Sequence, residues 1–85
     1  MKLIWAGHAL DDYLHWQATD KKLVKRINCL IKDIQRHPHQ GLGAPEPLRH
    51  QCSGYWSRRI TRGHRLAYKV AEDKIYIAQC RYHYG

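Results

Sequence analysis

The sequence predicts an α+β domain: a strand, two helices, then a three- to four-stranded antiparallel sheet with the helices on one face. Three observations predict it. Leu23, Val24, Ile27, Leu30, Ile31 and Ile34 fall within about 120° of arc at helical pitch. The last third of the chain carries β-branched and aromatic runs separated by turn-like stretches. A hydrophobic content of 44% over 85 residues supplies one packed core and is too little for two. Residues 1–85 are therefore read as a single domain.

The elements follow in order. Lys2-Leu3-Ile4-Trp5 reads as a short strand that joins the sheet. Ala9 to Gln17 has helix-like spacing, with Leu10, Tyr13, Leu14 and Trp16 as its apolar positions. Thr19-Asp20 offers an N-cap for a second helix over about 21–37, which stops at Pro38. Opposite the apolar face of that helix lie Lys21, Lys22, Lys25, Arg26, Lys32 and Arg36. Taken alone, such a stripe is a solvated helix face. Pro38 to Pro47 is a Gly/Pro-rich loop. Three strands are expected over 55–61, 64–70 and 75–84, with turns at Arg62-Gly63 and Ala71–Lys74.

Charge narrows the partners. Fifteen Lys and Arg against seven Asp and Glu leave +8, which points to polyanions, nucleic acid first. The hydrophobic content excludes a disordered basic tail. The longest apolar run, Leu3 to Ala6, is far too short to span a membrane or form a signal-peptide core, so the expected compartment is the cytoplasm. Cys29, Cys52 and Cys80 are odd in number and lack a C-x-x-C spacing, so three buried, reduced thiols are expected. His37-x-His39 and His50-x-Cys52 are isolated pairs without a second pair at zinc spacing, and no metal or cofactor is expected.

The sheet face away from the helices must carry the polar side chains. Its candidates are Arg59, Arg65, Arg81 and His83, with Arg58 and Tyr84 beside them. A two-residue turn at Arg62-Gly63 sets Arg65 opposite Ile60; one residue more or less sets it beside Arg59. Both alternatives stand at this point. Arginines bind phosphate bidentately, and aromatic rings stack on unpaired bases. Glu46, between Pro45 and Pro47, is a stiffly held acid in a basic chain. A carboxylate, an imidazole and an arginine can together cleave RNA by proton transfer and charge stabilisation. A basic sheet can also bind RNA without cutting it.

Several motifs occur together and in order: Lys2-Leu3-Ile4-Trp5, Asp11-Asp12-Tyr13-Leu14-His15-Trp16, Pro45-Glu46-Pro47-Leu48, Ser53 to Ile60, His64-Arg65-Leu66 and Cys80-Arg81-Tyr82-His83-Tyr84. In these the chain resembles the YoeB (Txe/YoeB) family of the RelE/ParE superfamily, from Met1 to Tyr84. The resemblance implies a RelE-like, microbial-ribonuclease-like toxin of a type II toxin–antitoxin system. Such a toxin is a ribosome-dependent endoribonuclease that cleaves mRNA in the A site of the 70S ribosome, in contact with rRNA, and so inhibits translation. The resemblance also implies a YefM-like antitoxin and a homodimer. By matched position, Glu46 is the general base, His83 the general acid, Arg65 the phosphate-stabilising arginine and Tyr84 the tyrosine that shapes the site. Arg59 matches a substrate contact, and Arg49 stands where lysine is common, keeping the charge with a different donor geometry. Tyr55 stands where Phe is usual, and Gly85 moves the terminal carboxylate one residue on. The alternatives are a ParE-like DNA gyrase inhibitor on the same fold, in which Glu46, His83 and Arg65 would be idle, and a non-catalytic RNA-binding module.

Overall fold

The computed structural model of the chain describes residues 1–49 and 54–82. Strand β1 (Lys2–Trp5) leads into helices α1 (Ala9–Thr19) and α2 (Lys21–Arg36), followed by strands β2 (Glu46–Pro47), β3 (Trp56–Thr61), β4 (His64–Ala71) and β5 (Lys74–Gln79). The two helices and the strand-rich last third agree with the expected α+β class.

The helices meet at one residue. Asp20 closes α1 through its N–H to the Trp16 carbonyl, and its Oδ1 accepts from the Lys22 and Leu23 N–H groups at the start of α2. This is the capping role expected of Asp. Leu23, Ile27, Leu30, Ile31 and Ile34 are buried against Ile60, Leu66, Tyr68, Ile75 and Ile77 of the sheet. Strand alternation puts Ser57, Arg59, Arg65, Ala67, Lys69 and Tyr76 on the opposite, open face. Cys29 is exposed, against the expectation of burial, because it lies about 200° around α2 from Ile27. Cys80 is buried, and both thiols are free; Cys52 lies outside the described residues.

The sheet differs from expectation in three ways. It has five strands in the order β1-β5-β4-β3-β2, and it is mixed. β1 runs parallel to β5, with Lys2 beside Lys74 and Trp5 beside Ile77. The side-chain pattern of a four-residue strand carries no information on direction, so its sense could not be read. The extra strand, Glu46–Pro47, is too short to show a period; a residue without an N–H is tolerated there because β2 is an edge.

The third difference is where β5 ends. It stops at Gln79, not Tyr84. The Cys80 N–H donates to Asp12 Oδ2 at 3.1 Å, and the Cys80 carbonyl accepts from Trp16 Nε1 at 2.8 Å. Side chains of α1 thus take the backbone groups that a sheet ladder would use. Arg81 and Tyr82 then bend away, Tyr82 with φ of 65°.

Candidate functional site

Glu46 lies on the edge strand, paired with Ser57, and Ser57 is paired in turn with Ala67. Arg65 lies opposite Arg59. The Arg62-Gly63 turn does have two residues, with Thr61 beside His64, but a bulge between Arg59 and Thr61 shifts the register by one. That irregularity decides the parity that the sequence left open, and it turns Arg65 onto the face of Glu46 and Ser57.

The Arg65 guanidinium is held on several sides. Its Nε donates to Ser57 Oγ at 2.9 Å, and Nη2 reaches the carbonyls of Ser57 and Ala44 at 3.4 and 3.5 Å. Nη2 also lies 3.3 Å from Glu46 Oε1. The Arg65 side chain is 12% exposed and that of Glu46 is 63% exposed, so a fixed cation faces an accessible carboxylate. Such a pair can take a proton and hold a phosphate side by side. Ser57 was not foreseen as part of the site, since a lone serine in a strand carries no signal until its register is known.

The other expected residues divide. Arg59 is exposed on the same face; its N–H donates to the Gly43 carbonyl at 2.7 Å, and its carbonyl accepts from Arg26 Nη2 at 3.0 Å. Arg49 is exposed two residues beyond β2, with no hydrogen bond to Glu46 or Arg65 among the described residues. Arg81 leaves the open face, contrary to expectation, because β5 has ended: its guanidinium lies 5.9 Å from the Trp16 ring and 4.8 Å from that of Tyr82. His83 and Tyr84 lie outside the described residues. The residue before them is tied down: the Tyr82 N–H donates to His64 Nδ1 at 2.8 Å, and its carbonyl accepts from the Arg65 N–H at 3.0 Å. His64, edge-on to Trp16 at 4.8 Å, is a further residue that the sequence did not single out for the site.

Arg58 is the largest correction. It is not on the open face; alternation sends it to the helix side with Trp56 and Ile60, and it is fully buried. There it donates to Tyr68 Oη, Asp33 Oδ2 and the carbonyls of His37, Gln40 and Leu42. These bonds fasten the loop that leads to Glu46. The Leu42 N–H, and next the Arg58 guanidinium, hold the Asp33 carboxyl below the usual carboxylate range. Gly41, at φ of 104°, packs so closely that a Cβ there would collide with Asp33 Oδ2.

Comparison with known proteins agrees with this architecture. Residues 5–84 match the family model described as a YoeB-like toxin of bacterial type II toxin–antitoxin systems. Toxin YoeB of Escherichia coli (strain K12) is 62% identical over 84 residues, covering 99% of this chain and all of the relative. A YoeB–YefM complex from Staphylococcus aureus superposes with a TM-score of 0.92 at 44% identity, covering 99% of this chain and 98% of the other. A YoeB dimer from the same organism gives 0.93 at 45% identity, with the same coverage. A family model that spans nearly the whole chain, together with a relative of this identity and full length, leaves one assignment: the chain belongs to the YoeB-like toxins of bacterial type II toxin–antitoxin systems.

Proposed function

We propose that the chain is a metal-independent endoribonuclease that cuts mRNA on the ribosome and so halts translation. The observation that carries this reading is the Glu46–Arg65 pair, 3.3 Å apart on the open sheet face, with the arginine fixed and the carboxylate accessible. In this reading the mRNA 2′-OH attacks the adjacent phosphorus. Glu46 takes its proton, Arg65 holds the developing phosphorane charge, and protonated His83 gives a proton to the leaving 5′ oxygen. The products are a 2′,3′-cyclic phosphate and a 5′-OH. Acid, base and cation together meet every proton and charge demand of that step. His83 and Tyr84 enter by family resemblance alone. Arg49 and Arg59 contribute substrate contacts.

A YefM-like antitoxin and a second copy of this chain are the protein partners in this reading, supported by the Staphylococcus aureus complex and dimer. An acidic antitoxin segment would cover the arginines and displace RNA phosphates. The compartment is the cytoplasm, where ribosomes and mRNA are found; no described helix is long and apolar enough to cross a membrane.

The test is toeprinting on programmed ribosomes, with an mRNA carrying a 2′-deoxy nucleotide at the cleavage position. The all-ribose message should be cut in the A site and the substituted message left whole. Cutting that survives the substitution, or a 3′-OH product end, overturns the roles given to Glu46 and His83.

A further inference from the structure

The open face extends past the Glu46–Arg65 pair. Lys69 lies four residues along β4 from Arg65, on the same side and about 13 Å away at strand rise. Its neighbour across the ladder is Tyr76 of β5. Tyr55, just before β3, reaches the same place from the other flank. The Lys69 ammonium sits 5.2 Å from the Tyr55 ring centre and 5.3 Å from that of Tyr76. All three side chains are half-buried, so each is shaped by the sheet yet open on one side. Among the described residues no carboxylate lies within ion-pair distance of Lys69.

An ammonium between two aromatic rings, with no acid beside it, is a weakly held charge. Cation–π contacts at partly exposed sites are small, whereas a base stacked on an aromatic side chain together with a lysine–phosphate contact is worth more. The flexible lysine stem allows that exchange. We propose that Tyr55, Lys69 and Tyr76 form a nucleotide subsite, in which an unpaired RNA base stacks on a tyrosine and the Lys69 ammonium swings to the adjoining phosphate. This rests on the reading of the chain as an RNA-cutting toxin. The occupant is single-stranded RNA: a single-stranded nucleic acid offers flat faces and phosphates in alternation, and RNA is the proposed substrate, whereas an acidic peptide would satisfy the lysine and leave the rings idle. The distance along β4 places the subsite a few nucleotides from the bond held at Arg65.

The test is binding rather than cutting. A fluorescein-labelled, single-stranded oligoribonucleotide is titrated by anisotropy at low and rising salt, with every protein carrying Glu46→Gln so that the probe stays whole. Tyr76→Leu, which keeps an apolar side chain on the sheet, should weaken binding roughly tenfold. Lys69→Gln should lower the slope of log affinity against log salt by about 0.7, one phosphate contact on a single strand. Circular dichroism confirms that both variants are folded. Unchanged affinity and slope in both variants overturns the subsite, as does a parent that binds no RNA at low salt. Equal weakening toward a polyglutamate peptide would make the row a plain polyanion contact and also overturn it. Tyr76-dependent RNA binding, together with a chain of unaltered sequence that never cuts mRNA on ribosomes, would leave the subsite standing and overturn the nuclease reading instead.

Discussion

Asp33 Oδ2 accepts a 2.6 Å bond from Arg58 Nη1, and this pair joins α2 to β3, with further bonds from both residues to the loop that leads to Glu46. Its two members behave differently when disturbed. Arg58 is wholly buried, while Asp33 stays partly exposed. The arginine therefore carries the structural demand, since its carbonyl partners at His37, Gln40 and Leu42 have no other cation to turn to among the described contacts.

Arg58→Met should cost about 1–3 kcal/mol of stability, because it leaves the carbonyls of His37, Gln40 and Leu42 without the donor that satisfies them. Denaturant unfolding of parent and variant checks this. In a chain of this size that loss is a large part of the total. A change below about 1 kcal/mol would show that the loop holds without the latch.

Asp33 carries a pH signature. Its folded pKa lies below its ordinary value, so its contribution is fully present above the usual carboxylate range and is lost as pH falls through the depressed folded value. The stability gap between parent and Asp33→Asn should be constant near neutrality and close in acid. Thermal melts from neutral pH down to the acid limit of folding check this; a gap that persists in acid would assign the effect to packing.

The thiols should separate by reactivity. Burial, helped by the Asp12 carboxylate, pushes the Cys80 thiol up to about 12 from an ordinary 9.0. At neutral pH, iodoacetamide should modify exposed Cys29 readily and Cys80 only on unfolding. The sign of the linkage is alkaline: a raised thiol pKa adds stability below about 9 that is lost as pH climbs toward 12. The stability gap between parent and Cys80→Ala should shrink over that window. Mass spectrometry of labelled peptides and alkaline melts check the two halves.

Glu46→Gln should leave ribosome binding intact or slightly tighter, since it removes a negative charge beside phosphate. As the proposed base it should slow cutting roughly 10²–10⁴-fold. Ribosome pelleting and single-turnover cleavage measure the two separately. Equal losses in both would make Glu46 a structural residue of the edge strand.

The α2 helix was legible because its apolar period runs over 16 residues, and Asp20 because N-caps have a side-chain signature. The Glu46–Arg65 pair was legible as two residues but not as a contact. Its geometry depends on a bulge between Arg59 and Thr61, and nothing in Arg59-Ile60-Thr61 marks an extra residue. Arg58 was misplaced because charge predicts solvent, whereas strand alternation after Trp56 predicts burial; the nearby carbonyls and Asp33 let alternation win. The end of β5 was missed because Cys80-Arg81-Tyr82 has strand-like composition. Two side chains from α1, distant in sequence, take its hydrogen bonds.

The parallel edge has a kinetic consequence. β1 neighbours β5 alone in the sheet, and its register sets Lys2 against Lys74, 72 positions later. Long-range pairing of this kind is slow to close, and synthesis delivers the N-terminus first. During translation β1 emerges early and has no strand to join until β5 has been made. The bond between the Tyr82 carbonyl and the Arg65 N–H waits on the same final stretch. The first strand made is thus among the last to be docked, and the sheet cannot close at that edge before β5 has been synthesised.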